Sequence, residues 1–267
     1  MIKIKTRHLL MIACLAILPV YASANDIEPS QEYFTALPAT SPVVLDGILS
    51  EWDISRLVQD PRFAIPKGSG DSGQLVSFES LGGDWTGVGD HSASFMVSYD
   101  ADNVYVGVLV IDDYHENAAA SAWNGDSLQM MVANSARDSQ VGLYNFALSG
   151  VESALGSLIV NIEAGPGGAD AAISRQSPVT IYEIQLPMSS LGLTELTPGT
   201  QFGLGFAIND GDELAPGQQG WSGWGPHALV YGKSPSETGL VTLGVPEPGT
   251  IGMVLLGVGI LMTRRRR

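Results

Sequence analysis

The sequence predicts an all-β protein, an antiparallel β-sandwich of the jelly-roll or immunoglobulin-like kind with long glycine-rich loops. Three observations predict it. From Val43 onward, short runs of Val, Ile, Leu and Tyr are broken every few residues by Gly, Asp, Asn or Pro, the punctuation of strands and tight turns. Val104, Val106, Val108 and Val110 alternate with Tyr105, Gly107, Leu109 and Ile111, so both faces of that segment are apolar, as in a strand covered on two sides. No heptads, internal repeats or nucleotide-binding glycine fingerprints compete with this reading.

The elements follow in order. Residues 25–42, rich in Pro and Ser, read as an entry arm to the domain. Strands are expected at 94–99 (SFMVSY), 104–111, 127–133 (SLQMMVA), 143–149 (LYNFALS), 157–163, 179–187 (VTIYEIQLP), 201–208 and 239–243. "DADN" (100–103) joins the first two as a tight turn, because Asp and Asn tolerate left-handed backbone and bond their own chain. "MSSLG" after Pro187 is expected to be a short helical turn. Loops are expected at 60–92, 112–125, 164–178 and 209–227, and they hold most of the tryptophans. Loops that long on a β scaffold are where binding residues sit.

The two ends carry a different grammar. Lys3, Lys5 and Arg7 precede an apolar run, Leu9 to Val20, and then Ala22-Ser23-Ala24, the layout of a secretory signal helix over 1–24. The single cysteine, Cys14, lies inside it, so the exported chain is expected to be stabilised without disulfides. At the other end, "VPEPGTIGMVLLGVGILMTRRRR" holds about 15 apolar residues where a full span needs about 20. The arginine block would stay cytoplasmic. Pro246, Glu247 and Pro248, the apolar helix and Arg264, Arg265, Arg266 and Arg267 together resemble the PEP-CTERM sorting signal. That resemblance implies a membrane protease of the exosortase type as partner. It also implies transient anchoring at the inner membrane and then a place at the cell surface or in an exopolysaccharide matrix. The organisation is therefore 1–24 signal, 25–42 arm, 43–244 sandwich and 245–267 sorting signal with a short transmembrane segment.

Between the two signals stand six basic residues against 27 acidic ones, a formal charge of −21. Such a surface repels phosphate backbones and anionic lipid, which excludes nucleic acid as a partner and favours a neutral polymer or a cation. His8, His91, His115 and His227 share no spacing, and no nucleophile elbow, zinc-protease motif or cysteine nucleophile is present. The chain reads as a binding protein and not an enzyme.

Sugar rings offer flat C–H faces that stack on aromatic rings and hydroxyl fringes that bond amides and carboxylates. Trp123, Trp221 and Trp224 lie in Gly-rich stretches and are the stacking candidates, with Asn124, Gln129 and Asn209 as polar partners. Oxygen ligands for calcium are abundant in loops, and Asp46, Asp112, Asp210 and Asp212 are the candidates.

Six segments in order carry a second resemblance: "VVLDGILSEWD" (43–53), "YDADNVYVGVLVIDD" (99–113), "WNGDSLQMMV" (123–132), "YEIQLPMSSLGL" (182–193), "FGLGFAINDGDE" (202–213), and "GWSGWGP" followed by "ETGLVTL" (237–243). Together they resemble a family 9 carbohydrate-binding module. The resemblance implies a β-sandwich that binds poly- or oligosaccharide ends between two tryptophans, Trp123 with Trp221 or Trp224, and that takes calcium. The expected function is an exported, non-catalytic carbohydrate-binding protein. The alternative is a structural, calcium-binding acidic matrix or surface protein without a sugar site. A haem-binding relative, with Met130 or Met131 and His115 as axial ligands, is a third class.

Overall fold

The computed structural model describes residues 33–59, 75–118, 121–213 and 215–245. The signal helix and the sorting signal, Pro246, Glu247, Pro248 and Arg264 to Arg267 included, lie outside the described residues. Among the described residues no helix is long and apolar enough to cross a membrane.

Among the described residues, fourteen strands form one curled sheet that folds into two facing layers. The first layer runs β10 (Asp170–Gln176), β11 (Val179–Pro187), β5 (Asn103–Asp112) and β4 (His91–Tyr99), with the short β2 (Val58–Gln59) on β4. The second runs β14 (Gly239–Leu243), β12 (Gln201–Asp212), β7 (Ser127–Ala133) and β8 (Gln140–Val151). Beyond β8 lie β9 (Ala154–Ala164) and the two-residue β6 (Glu116–Asn117). The far half of β12 pairs instead with β13 (Ala215–Trp224), which pairs with β3 (Leu75–Ser80).

One strand joins the layers. In β1 (Tyr33–Pro38), Tyr33 to Ala36 run parallel to Leu240 to Leu243, and Leu37 and Pro38 continue parallel to Ser98 and Tyr99. The arm expected at 25–42 therefore contains a structural strand. Its signal is the buried pair Phe34 and Ala36, a period-2 pattern too short to stand out beside its prolines.

The expected strands at 127–133, 179–187 and 239–243 coincide with β7, β11 and β14, and the others lie inside β4, β5, β8, β9 and β12. Asp100 closes the β4–β5 turn as its composition dictates, its Oδ1 accepting the amides of Asp102 and Asn103, each at 2.8 Å. A 3-10 turn over Met188–Leu191 follows Pro187. Three expected loops are corrected. β3 occupies the middle of 60–92, β10 half of 164–178, and β13 most of 209–227. "PGQQGWSGW" has almost no β-branched residue, and β12 on one side and β3 on the other make it a strand.

The core lies between the layers. Val104, Val106, Val108 and Val110 of β5 face Phe202, Leu204, Phe206 and Ile208 of β12, Met130 of β7 and Trp224 of β13, all buried. The outer faces are covered locally, as the two-sided apolar pattern of β5 requires. Residues 43–57 fold over β4 and β5 and pack Trp52 on Met96 and Tyr105. A single helical turn, α1 (His227–Val230), lays Ala228 and Leu229 over Met131, Leu143, Ala207 and Trp221. Gly47 takes the left-handed backbone, φ 79°, that the Asp46-Gly47 turn needs.

Candidate functional site

The five tryptophans sort by exposure. Trp52, Trp221 and Trp224 are 8 %, 1 % and 0 % exposed, whereas Trp85 and Trp123 are 42 % and 39 % exposed. Trp221 and Trp224 sit in β13 and not in a loop, three residues apart opposite Asn209 and Phe206 of β12, and so on opposite faces of the strand. Trp224 points into the core against Phe95, at 6.1 Å and 19°, while Trp221 lies under α1 edge-on to Tyr231 at 5.7 Å. Neither offers a face to a sugar. That corrects the expected pairing of Trp123 with one of them.

Trp85 takes the place they leave. Its indole Nε1 donates to the His91 carbonyl at 2.9 Å, and its ring stacks on Phe78 with centroids 5.9 Å apart and planes 10° apart. The same signal that singled out Trp123, a tryptophan in a Gly-rich loop, was present in "GGDWTG". Trp85 flanks an open cavity of about 530 Å³, which Asp84 and Thr86 line from either side of it. Asp90, Asp113, Tyr114, Asp212, Glu213 and Gln219 supply the rest of the wall, with Gly82 and Gly83. The cavity is held together by backbone bonds. The Gln219 carbonyl accepts the amides of Leu81 at 2.7 Å and Gly83 at 3.1 Å, and the Asp113 amide donates to the Asp90 carbonyl at 3.2 Å.

Trp123 stands where the loop 121–126 meets the same stretch of β13. Asn124 Oδ1 accepts the Gln218 amide at 3.0 Å. Asn209, only 2 % exposed, donates to the Trp123 carbonyl at 3.0 Å and to Ser127 Oγ at 2.9 Å, and accepts from Gln218 Nε2 at 2.6 Å. Its amide is thus spent on fixing the loop, so Asn209 positions Trp123 instead of presenting itself to a ligand. Gln129 is buried in the middle of β7, away from any opening. Of the sugar-site residues expected from the sequence, Trp123 and Asn124 remain at this end of the sandwich in reach of solvent. Trp85 and Gln219 join them.

The acids divide into an outer and an inner group. Carboxylate oxygens of Asp90, Asp113 and Asp212 lie within 4.8 Å of one another on the cavity wall. Partial burial, then Asp210 and their mutual repulsion, push the Asp212 carboxyl up to about 6. Asp113 is raised too, by burial first and then by Asp90 and Asp210. An oxygen-only triad with excess negative charge suits a hard cation such as calcium. Asp46 does not belong to it. Its carboxylate accepts the Ile48 amide at 2.9 Å in a turn held by Glu183, and it joins neither acidic group.

Beneath the cavity the inner group is buried. His91 bridges Asp210 and Ser222, with Nδ1 2.9 Å from Asp210 Oδ1 and Nε2 2.8 Å from Ser222 Oγ. Asp112, at the end of β5, has its carboxyl pushed up to about 7, chiefly by burial, with His91 and then Arg175 pulling it back. Asp126 is raised well above the usual carboxylate range by burial and then by Asp112. Asp112 and Asp210, expected as loop ligands for calcium, are therefore interior groups with protein partners. Met130 and Met131 are fully buried in β7, one on each face, so neither is free to serve a haem iron.

The profile of the family described as "Carbohydrate family 9 binding domain-like" matches residues 73–244, well over half of the chain. The chain belongs to that family. No curated protein matches it in sequence. The family 9 domain is similar to a family 9 carbohydrate-binding module from Caldicellulosiruptor kristjanssonii solved in complex with glucose. That match has a TM-score of 0.58 and 16 % identity, and it covers 80 % of this chain and 98 % of that one. A structure of such a module from the same organism in complex with cellotriose gives a TM-score of 0.55 at 14 % identity, covering 81 % and 95 %. At these identities the likeness establishes the β-sandwich fold of the family 9 domain.

Proposed function

We propose that this family 9 domain is a non-catalytic carbohydrate-binding protein whose site is the acidic cavity beside Trp85, with Trp123 at its margin. The observation that carries the reading is the sorting of the tryptophans. Of five, the two left exposed are Trp85, between the cavity-lining Asp84 and Thr86, and Trp123, whose neighbour Asn124 bonds the Gln218 amide next to the cavity-lining Gln219. In this reading the Trp85 ring, backed by Phe78, stacks on a pyranose face, while Asp84, Glu213 and Gln219 accept or donate to its hydroxyls. The wall is strongly acidic, so the ligand is a neutral sugar and not a uronate. The glucose and cellotriose held by the similar modules support a gluco-oligosaccharide.

Calorimetry of the full chain against glucose, cellotriose and xylo-oligosaccharides tests this. Trp85→Ala is expected to weaken binding about 10- to 30-fold, the ~1.5–2 kcal/mol of an aromatic anchor, with an unchanged melting temperature. Absence of binding to all three sugars, or binding indifferent to both Trp85→Ala and Trp123→Ala, would sink it.

Calcium fits the outer triad Asp90, Asp113 and Asp212, whose donors are all oxygen. In the proposed protein the ion ties the 82–90 loop to the 112–114 and 210–213 segments. Chelation is expected to lower the melting temperature by several degrees, and calcium to restore it, since a ligand bound only to the folded state stabilises by mass action. No change on chelation would remove calcium from the account. A chelation effect without any sugar binding would instead favour the structural, calcium-binding matrix protein.

The signals at the two ends support export and exosortase sorting to the envelope or matrix. An epitope placed after Arg267 should be lost in a host with an exosortase and kept when Pro246 and Glu247 are replaced by Ala. Equal loss in both would argue against the sorting motif.

A further inference from the structure

We propose that Asp112, His115 and Asp126 form a buried site for a divalent transition ion of the zinc class, distinct from the oxygen-only triad on the cavity wall. The site is independent of sugar binding, and the tautomer of His115 reveals it.

His115 is fully buried, and its Nε2 lies 2.8 Å from the carbonyl oxygen of Leu148, a group that only accepts. That nitrogen therefore carries the ring hydrogen in the neutral imidazole, and Nδ1 presents a bare lone pair. No hydrogen-bond donor reaches Nδ1. The group it faces is Asp126 Oδ2, 3.3 Å away. That oxygen is itself an acceptor, taking the Glu116 amide at 2.6 Å, while Oδ1 takes the Gly211 amide at 2.9 Å. Each oxygen of Asp126 thus accepts a backbone amide. Two lone pairs aimed at each other in a dry interior repel, so something positive belongs between them.

Asp112 completes a triangle, since one ligand atom from each residue lies within 4.8 Å of the other two. Ligands of a tetrahedral zinc ion, at about 2.0–2.1 Å from the metal, are about 3.3 Å apart, and Nδ1 to Oδ2 already has that spacing. The Nε2–H bond to Leu148 is the outer contact that orients a metal-binding imidazole. An imidazole nitrogen in the donor set selects zinc-class ions over calcium, which takes oxygen. Charge points the same way. Asp112, Glu116, Asp126 and Asp210 are all at most 5 % exposed, and among the described residues Arg175 is the cation paired with them, with the His91 imidazole against Asp210. The cavity lined by Asp113 and Tyr114 adjoins the site and gives an ion its approach.

The full chain, stripped with chelator and dialysed, is titrated with zinc chloride by calorimetry in the presence of millimolar calcium. One equivalent is expected to bind, with a rise of several degrees in melting temperature. His115→Gln should weaken zinc binding by about 100-fold or more, as loss of a ligand does. Because that substitution also alters the contact of a fully buried side chain with the Leu148 carbonyl, the wild-type chain supplies a second readout. The His115 Nδ1 nitrogen resonance should move on zinc addition and stay put on calcium addition. Lack of saturable zinc binding by the wild type would overturn the proposal. So would displacement of zinc by calcium, or a resonance that reports a proton shared with Asp126 and ignores zinc.

Discussion

Trp224→Ala is expected to destabilise the domain by about 3–5 kcal/mol, the cost of emptying a large aromatic site in a packed core. Trp224 is 0 % exposed and sits among Phe34, Phe95 and Phe206, with ring centroids at 6.0, 6.1 and 6.4 Å. It therefore touches β1, β4 and β12 at once and clamps the two layers where β1 passes between them. The measurement is a denaturant midpoint at unchanged slope, and sugar affinity per folded molecule should be untouched. A small stability loss with a large affinity loss would return Trp224 to the binding site. Gly239 tests the same packing from the other side. A Cβ there would stand 2.0 Å from the Trp224 ring, so Gly239→Ala should cost about 1–3 kcal/mol through overpacking.

Glu183→Ala is the second large effect, also about 3–5 kcal/mol, because it strands several donors around a buried acceptor. Glu183 is 0 % exposed in β11. Its Oε2 accepts the backbone amides of Asp46 at 3.0 Å, Gly47 at 2.6 Å and Ile48 at 3.2 Å, and its Oε1 accepts Trp52 Nε1 at 2.8 Å. One carboxylate thus fastens the whole 43–57 segment over the outer face of β4 and β5. Removing it should release that segment. Chemical denaturation reads the loss, and amide exchange at Gly47 and Ile48 should quicken well before global unfolding. Trp52→Phe, which keeps the ring packing but drops one of the four bonds, should cost a fraction as much. Equal stability of Glu183→Ala and the wild type would mean that the segment is held by Trp52 packing alone.

These two residues also mark the limit of what could be read in advance. Strands β5, β7, β11 and β14 were legible because alternation, β-branched content and flanking turn residues are local properties. What Glu183 does was not, since its partners stand more than 130 positions away in the chain. The tryptophans of "GWSGW" looked like loop residues because glycine and glutamine dominate their surroundings. Pairing of β13 with β12 and β3 turned them into strand residues, and their three-residue spacing in regular register with β12 put the two rings on opposite faces. Trp85 carried the loop signal equally well.

By itself the sequence determined an all-β chain, the positions of its long strands, a strongly acidic surface and the grammar of its two ends. These follow from periodicity, turn chemistry and charge, which need no partner strand. The tertiary structure alone decided which tryptophans are exposed, which aspartates meet, and which nitrogen of His115 holds its proton. Each of those depends on groups brought together across the sheet, where burial and a missing donor set the chemistry.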